Sequence, residues 1–168
     1  GNDLNPNNNM NIKNLKMVID KEINYLKIGF FDNAYLSEHE HILKDINFKN
    51  TQPICVMFAD KDFNLNNVEK LIAMGYSGIM IDTCYKNSKS IMDLLTQKEI
   101  KEFLKIVKSH NKICGLSGSL KIAHIETLKK LKPDFLGFRG QLCDSFQTRH
   151  KFNSNRAEEV SKSIRLNF

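Results

Sequence analysis

Short runs that are apolar at almost every position alternate along this chain with stretches whose apolar residues recur every third or fourth position. The two rhythms predict different elements. Five runs read as buried strands: Tyr25 to Phe31 (YLKIGFF), Ile54 to Asp60 (ICVMFAD), Gly78 to Thr83 (GIMIDT), Ile113 to Ser117 (ICGLS) and Phe135 to Arg139 (FLGFR). Being apolar on both faces, they suit a parallel sheet covered by helices. Helical spacing occurs at Ile12, Leu15, Val18 and Ile19, and again at Val68, Leu71 and Ile72, where Gly75 supplies a left-handed stop. Ser37-x-x-Glu40 and Thr96-x-x-Glu99 read as capping boxes, the second followed by Ile100, Phe103, Leu104 and Val107. A further stripe (Ile122, Ile125, Leu128, Leu131) stops at Pro133, and Val160 with Ile164 marks a closing helix. The order is α followed by five βα units. It predicts a single α/β domain over residues 1–168, with residues 1–10 a flexible Asn-rich lead and residues 144–168 a C-terminal loop and helix.

Two architectures accommodate that alternation: an open, doubly wound parallel sheet, and a (β/α)₈ barrel of the TIM type, of which five units form only a part. The 168 residues favour the open sheet, since a complete barrel takes about 250 residues. The placement of polar residues favours the barrel. At 41% hydrophobic residues there is material for one core, and no apolar run approaches the ~20 residues of a membrane-spanning helix. The opening GNDLNPNNNM lacks a basic-then-apolar leader, so the cytoplasm is the expected compartment. Cys55, Cys84, Cys114 and Cys143 are widely spaced, which predicts free thiols rather than a zinc site or disulfides.

The net charge of +6 comes from lysines spread along the polar sides of the helices, so a solvated surface is expected and nucleic acid is not. Positive charge also serves to bind phosphorylated metabolites, and the strand ends bear on that use. Lys27 lies inside the first run, where alternation puts Tyr25, Lys27 and Gly29 on one face; an amine among apolar neighbours would be tuned for imine or acid–base chemistry. Asp60 and Asp82 end the second and third runs, and Lys86 follows four residues later. Carboxyl ends of parallel strands are where such folds keep their active sites. LSGSL sets Ser117, Gly118 and Ser119 between a strand and a helix start, and Arg139 and Gly140 end the next strand. Together they predict a phosphate site between two loops, in which valine at Gly118 would fill the anion's space. His39-Glu40-His41 reads as surface, His110 and His124 as structural or exposed, and neither a P-loop nor a G-x-G-x-x-G segment is present.

From about Asn24 to Cys143 the chain resembles the (5-formylfuran-3-yl)methyl phosphate synthases. The resemblance rests on YLKIGFF, FAD, GIMIDTCYKNSKSIMDLLTQKEIKEF, LSGSLKIAHIETLKKLKPD and FLGFRGQLC, in the family's order and spacing. It implies a (β/α)₈ barrel that condenses two glyceraldehyde 3-phosphate molecules into a furan aldehyde phosphate for methanofuran biosynthesis, a lyase-type reaction without cofactor or metal. Lys27 matches a family active-site lysine, Asp82 the aspartate of the D-T segment and Lys86 the lysine after it. Gly118, Ser119, Arg139 and Gly140 match the segments that end the last two strands and are expected to bind phosphate, with Asp60 and Ser117 expected beside them as substrate- or phosphate-binding residues. The family's Schiff-base lysine lies in a D-x-K-N-P segment that this sequence lacks; by the resemblance the chain starts near the end of the third family strand. Met57 stands where a glycine is expected, and the tail after Cys143 lacks the family's Gly-Gly-Asp character. The alternatives left open are a non-catalytic domain binding a phosphorylated metabolite and a basic α/β domain binding an acidic partner, with self-association as a further expectation.

Overall fold

A computed structural model describes residues 9–61, 63–85, 89–144 and 151–165, with side chains from residue 12 onward. In chain order the elements are α1 (Asn9–Ile19), β1 (Tyr25–Phe30), α2 (Leu36–Asp45), β2 (Gln52–Phe58), α3 (Asn66–Ala73), β3 (Gly78–Asp82), α4 (Ile91–Leu94), α5 (Gln97–Ser109), β4 (Ile113–Leu116), α6 (Ile125–Lys130), β5 (Phe135–Leu136) and α7 (Ser154–Arg165). The five strands form one parallel sheet, as the alternation predicts, in the order β1-β2-β3-β4-β5 that the barrel reading expects. Strand order follows chain order without a reversal.

Register sorts the strand residues into two faces. Leu26, Ile28, Phe30, Cys55, Met57, Ile79, Ile81, Cys114 and Leu116 point one way and join one buried cluster with Leu15 and Ile19 of α1, Ile42 of α2, Leu71 of α3, Phe103 of α5 and Leu128 of α6. The opposite face holds a small cluster drawn from strands alone: Ile54, Val56 and Met80, with Phe58, Ile113 and Phe135 packed against them. These residues are shielded by the sheet's own curl. Lys27 Nζ lies 5.6 Å from the centre of the Phe135 ring, although β1 and β5 are opposite ends of the sheet. On a flat sheet four strand spacings of ~4.8 Å would separate them by about 19 Å. The sheet is therefore concave on the side away from α1, α2, α3, α5 and α6. Gly115 sits under Phe135, whose ring occupies the place a side chain there would take.

Several boundaries depart from the expected ones. β2 begins at Gln52 and ends at Phe58, because the Phe58 carbonyl accepts the Lys61 amide at 3.2 Å and turns the chain; Asp60 lies in that turn. β5 is only Phe135–Leu136, so Arg139 and Gly140 lie in the loop and 3₁₀ turn beyond it. Ser37 does not cap α2: its hydroxyl donates to Glu38 at 3.0 Å, and the entry is fixed one turn earlier by Asp32, whose carboxylate accepts the Ala34 amide at 2.8 Å. Thr96 caps α5 as expected, its hydroxyl accepting the Glu99 amide at 3.2 Å while Glu99 accepts the Thr96 amide at 2.7 Å. The stripe from Ile122 opens with a 3₁₀ turn before α6.

His39 is a larger correction, because it is buried rather than on the surface. Spacing explains it: His39 is three residues before Ile42 on the inward stripe of α2. Its Nδ1 shares a 2.5 Å hydrogen bond with the hydroxyl of Tyr76, also buried, and Phe30 meets its ring edge-on. Burial lowers the imidazole pKa to about 4 and raises that of Tyr76. The four cysteines are free, as expected. Cys114 donates to Asp134 at 3.1 Å, and burial, helped by that bond, raises its pKa to about 11.

Candidate active site

Asp82 closes β3 on the concave face, half-buried, opposite Phe58 in register, and its Oδ1 accepts the following amide of Thr83 at 2.7 Å. Its carbonyl accepts the Ala59 amide at 2.9 Å from the turn after β2. That turn holds Asp60, whose two carboxylate oxygens accept the amides of Cys84 and Tyr85, each at 2.7 Å. The neighbouring Lys61 donates to the Tyr85 hydroxyl at 2.7 Å and lies 4.6 Å from that ring's centre. The hydrogen bond to Tyr85 raises the Lys61 pKa. Lys61, Cys84 and Tyr85 were not legible as site neighbours, because no spacing rule joins residues more than twenty positions apart on adjacent loops.

Lys27 is exposed, which corrects the expectation of an amine enclosed by apolar neighbours. Alternation assigns its face correctly, but this face lacks a helical cover among the described residues, so the side chain extends along the concave surface to Phe135. It is the third residue of a six-residue strand and not its C-terminal residue, while Asp82 is the last residue of its own. Both belong to the concave face. Lys86 lies outside the described residues.

The β4 and β5 ends are neighbours: the Gly137 amide donates to the Leu116 carbonyl at 2.8 Å, and a side chain at Gly137 would meet Ser117. Ser117 is itself buried, and its hydroxyl donates to the Ile81 carbonyl at 3.2 Å. Gly118 and Ser119 both adopt positive φ, 99° and 50°. Among the described residues the amides of Gly118, Ser119 and Leu120 donate no hydrogen bond, so three successive N–H groups are left at the end of β4. Lys121 begins the 3₁₀ turn, and its amide is taken by His124 Nδ1 at 3.2 Å, so the amide run belongs to the loop and not to a helix start. A Cβ on Gly118 would come within 2.7 Å of Ile91 and 2.9 Å of the Thr83 amide. Valine there breaks packing rather than filling an anion's space. Arg139 is exposed, and its carbonyl accepts the Leu142 amide at 3.2 Å. Among the described residues no group of histidine, cysteine and carboxylate side chains is arranged to hold a metal ion, and no helix is long and apolar enough to cross a membrane.

A parallel α/β sheet with carboxylates, hydroxyls and unspent amides gathered where its strands end has the layout of an α/β enzyme. The family model described as 4-HFC-P synthase matches residues 2–161. The chain belongs to that family, whose curated relatives carry the names of enzymes. It is similar to the (5-formylfuran-3-yl)methyl phosphate synthase of Archaeoglobus fulgidus, 33% identical over 143 residues covering 71% of this chain and 56% of that protein. The synthase of the same name from Methanosarcina mazei is 29% identical over 151 residues, covering 83% of this chain and 63% of that protein. The chain thus spans about half to just under two thirds of the length of the curated relatives it matches. Among solved structures, the Amycolatopsis orientalis BexX/CysO complex aligns with a TM-score of 0.57 at 10% identity, covering 94% of this chain and 64% of that one; this likeness concerns the fold alone.

Proposed function

We propose that this chain forms five βα units of a (β/α)₈ barrel and carries the strand-end chemistry of a synthase that joins two glyceraldehyde 3-phosphate molecules into (5-formylfuran-3-yl)methyl phosphate in the cytoplasm. The observation that carries the reading is that an amine and a carboxylate, Lys27 and Asp82, share the concave face, opposite the one packed by the core helices. Strand order without reversal, helices packed on one face and a sheet curled toward the other support a barrel arc. Aldol-type joining, dehydration and phosphate elimination all require protons to be taken from carbon and given to oxygen. Asp82 is the base in this reading, and the amines of Lys27 and Lys86 are the acids and imine formers. The unspent amides of Gly118 to Leu120, with the guanidinium of Arg139 on the neighbouring loop, support binding of the substrate phosphate.

The test is incubation with glyceraldehyde 3-phosphate, mass detection of the furan aldehyde phosphate, and borohydride reduction to trap any imine on the chain. Product together with a trapped lysine adduct is expected. Phosphate binding without product or adduct would replace the synthase with a non-catalytic binder of phosphorylated metabolites.

A further inference from the structure

Asp60, Lys61 and Tyr85 tie the turn after β2 to the loop after β3, and the tie brackets Asp82 on both sides. On the near side, the Asp82 carbonyl is held by the Ala59 amide at 2.9 Å. On the far side, both Asp60 oxygens are engaged by successive amides, those of Cys84 and Tyr85, at 2.7 Å. A carboxylate that accepts two amides in this way fixes the path of the backbone it grips, because each bond is charge-assisted and directional. Lys61 closes the same tie from outside by donating to the Tyr85 hydroxyl at 2.7 Å while its ammonium lies against the ring. Between the two anchors Asp82 has little freedom to move, and its Oδ1 already holds the Thr83 amide at 2.7 Å.

We infer that Asp60 is a positioning residue that acts through Asp82, and that Lys61 with Tyr85 forms the outer half of the same clasp. This places Asp60 apart from the substrate- and phosphate-holding groups, and it rests on the reading of Asp82 as the base. Chemistry is sensitive to such a device: misplacing a reacting group by about 1 Å can cost roughly 100-fold in rate. Phosphate affinity is not expected to depend on it, since the candidate phosphate groups lie on the loops after β4 and β5.

The decisive variant is Asp60→Asn, which keeps the shape but replaces one acceptor oxygen with an N–H donor facing an N–H. Its kcat should fall roughly 10- to 100-fold with KM within about twofold. Amide exchange at Cys84 and Tyr85 should accelerate, while the β3 amides of Ile79 and Ile81 stay protected, which separates a loosened loop from a failed fold. Lys61→Met and Tyr85→Phe should show the same defect in weaker form. Adding either to Asp60→Asn should change little further, because one clasp is already open. A raised KM or weakened phosphate binding with unchanged exchange at Cys84 and Tyr85 would overturn the inference and make Asp60 a substrate ligand. If the parent chain shows no turnover, the proposed function fails separately, and the clasp is decided by amide exchange alone: faster exchange at Cys84 and Tyr85 in Asp60→Asn, with Ile79 and Ile81 still protected, supports positioning, and unchanged exchange contradicts it.

Discussion

The two faces of the sheet are built to different rules. The helix-covered face is continuous, apolar and almost wholly buried, and its buried histidine, His39, is paired internally with Tyr76. The concave face has a small apolar floor of Ile54, Val56 and Met80, and where the floor ends it carries an exposed lysine, a half-buried aspartate and a loop with unspent amides. Residues on the first face can be large because helices stand off to make room; on the second, Gly115 yields its place to the Phe135 ring. The contrast teaches that stability and chemistry are assigned to opposite sides of the same strands. Changes on one side should therefore leave the property of the other largely intact.

The sharpest way to break that division is Asp82→Asn. It should lower turnover by about two to four orders of magnitude, the range for removing a positioned acid–base group. The melting temperature should stay near that of the parent, because the amide retains an acceptor for the Thr83 N–H. A large drop in melting temperature would show that Asp82 is structural. The converse is Phe103→Ala, which empties a fully buried position on α5 and should cost about 3–5 kcal/mol in denaturant titration. Phosphate affinity should persist wherever that protein remains folded.

A third test uses pH. The His39 pKa is about 4 in the folded chain against 6.5 for the free side chain, so the unfolded chain takes up the proton first as pH falls. The His39 contribution is complete above the unfolded value and is lost as pH falls from about 6.5 to about 4. The loss should amount to about 3 kcal/mol at most. His39→Gln should flatten that part of the urea-midpoint profile; an unchanged slope would show that His39 is not the titrating group. The smallest effect is expected for Thr96→Ala, which removes the α5 cap and should cost about 1 kcal/mol in urea unfolding with no change in phosphate affinity.

The legible part of the fold is what local rules control. Both-sided apolar runs gave five strands, and Thr96-x-x-Glu99 and Gly75 marked helix ends because caps are read from neighbours in the chain. Curl is not a local property, and only the polar strand ends and the family resemblance point to it. Lys27 was therefore assigned the right face and the wrong environment, since alternation states which way a side chain points and not whether anything covers it. His39 and His41, two positions apart, cannot both lie on the buried stripe of α2, and it is the i, i+3 relation to Ile42 that puts His39 there. The aspartates at the strand ends were visible, but their division of labour was not: the bonds from Cys84 and Tyr85 to Asp60 join residues 24 and 25 positions apart.

The most direct measurement of where the chemistry lies is a titration of the ¹⁵N-labelled chain with glyceraldehyde 3-phosphate, followed by amide shifts. Shifts are expected at Thr83, at Gly118 to Leu120, around Arg139 and in β1 near Lys27, with Val68, Leu71 and Val107 of the helix layer unmoved. Shifts confined to the helix layer, or none at millimolar ligand, would contradict the assignment of function to the concave face.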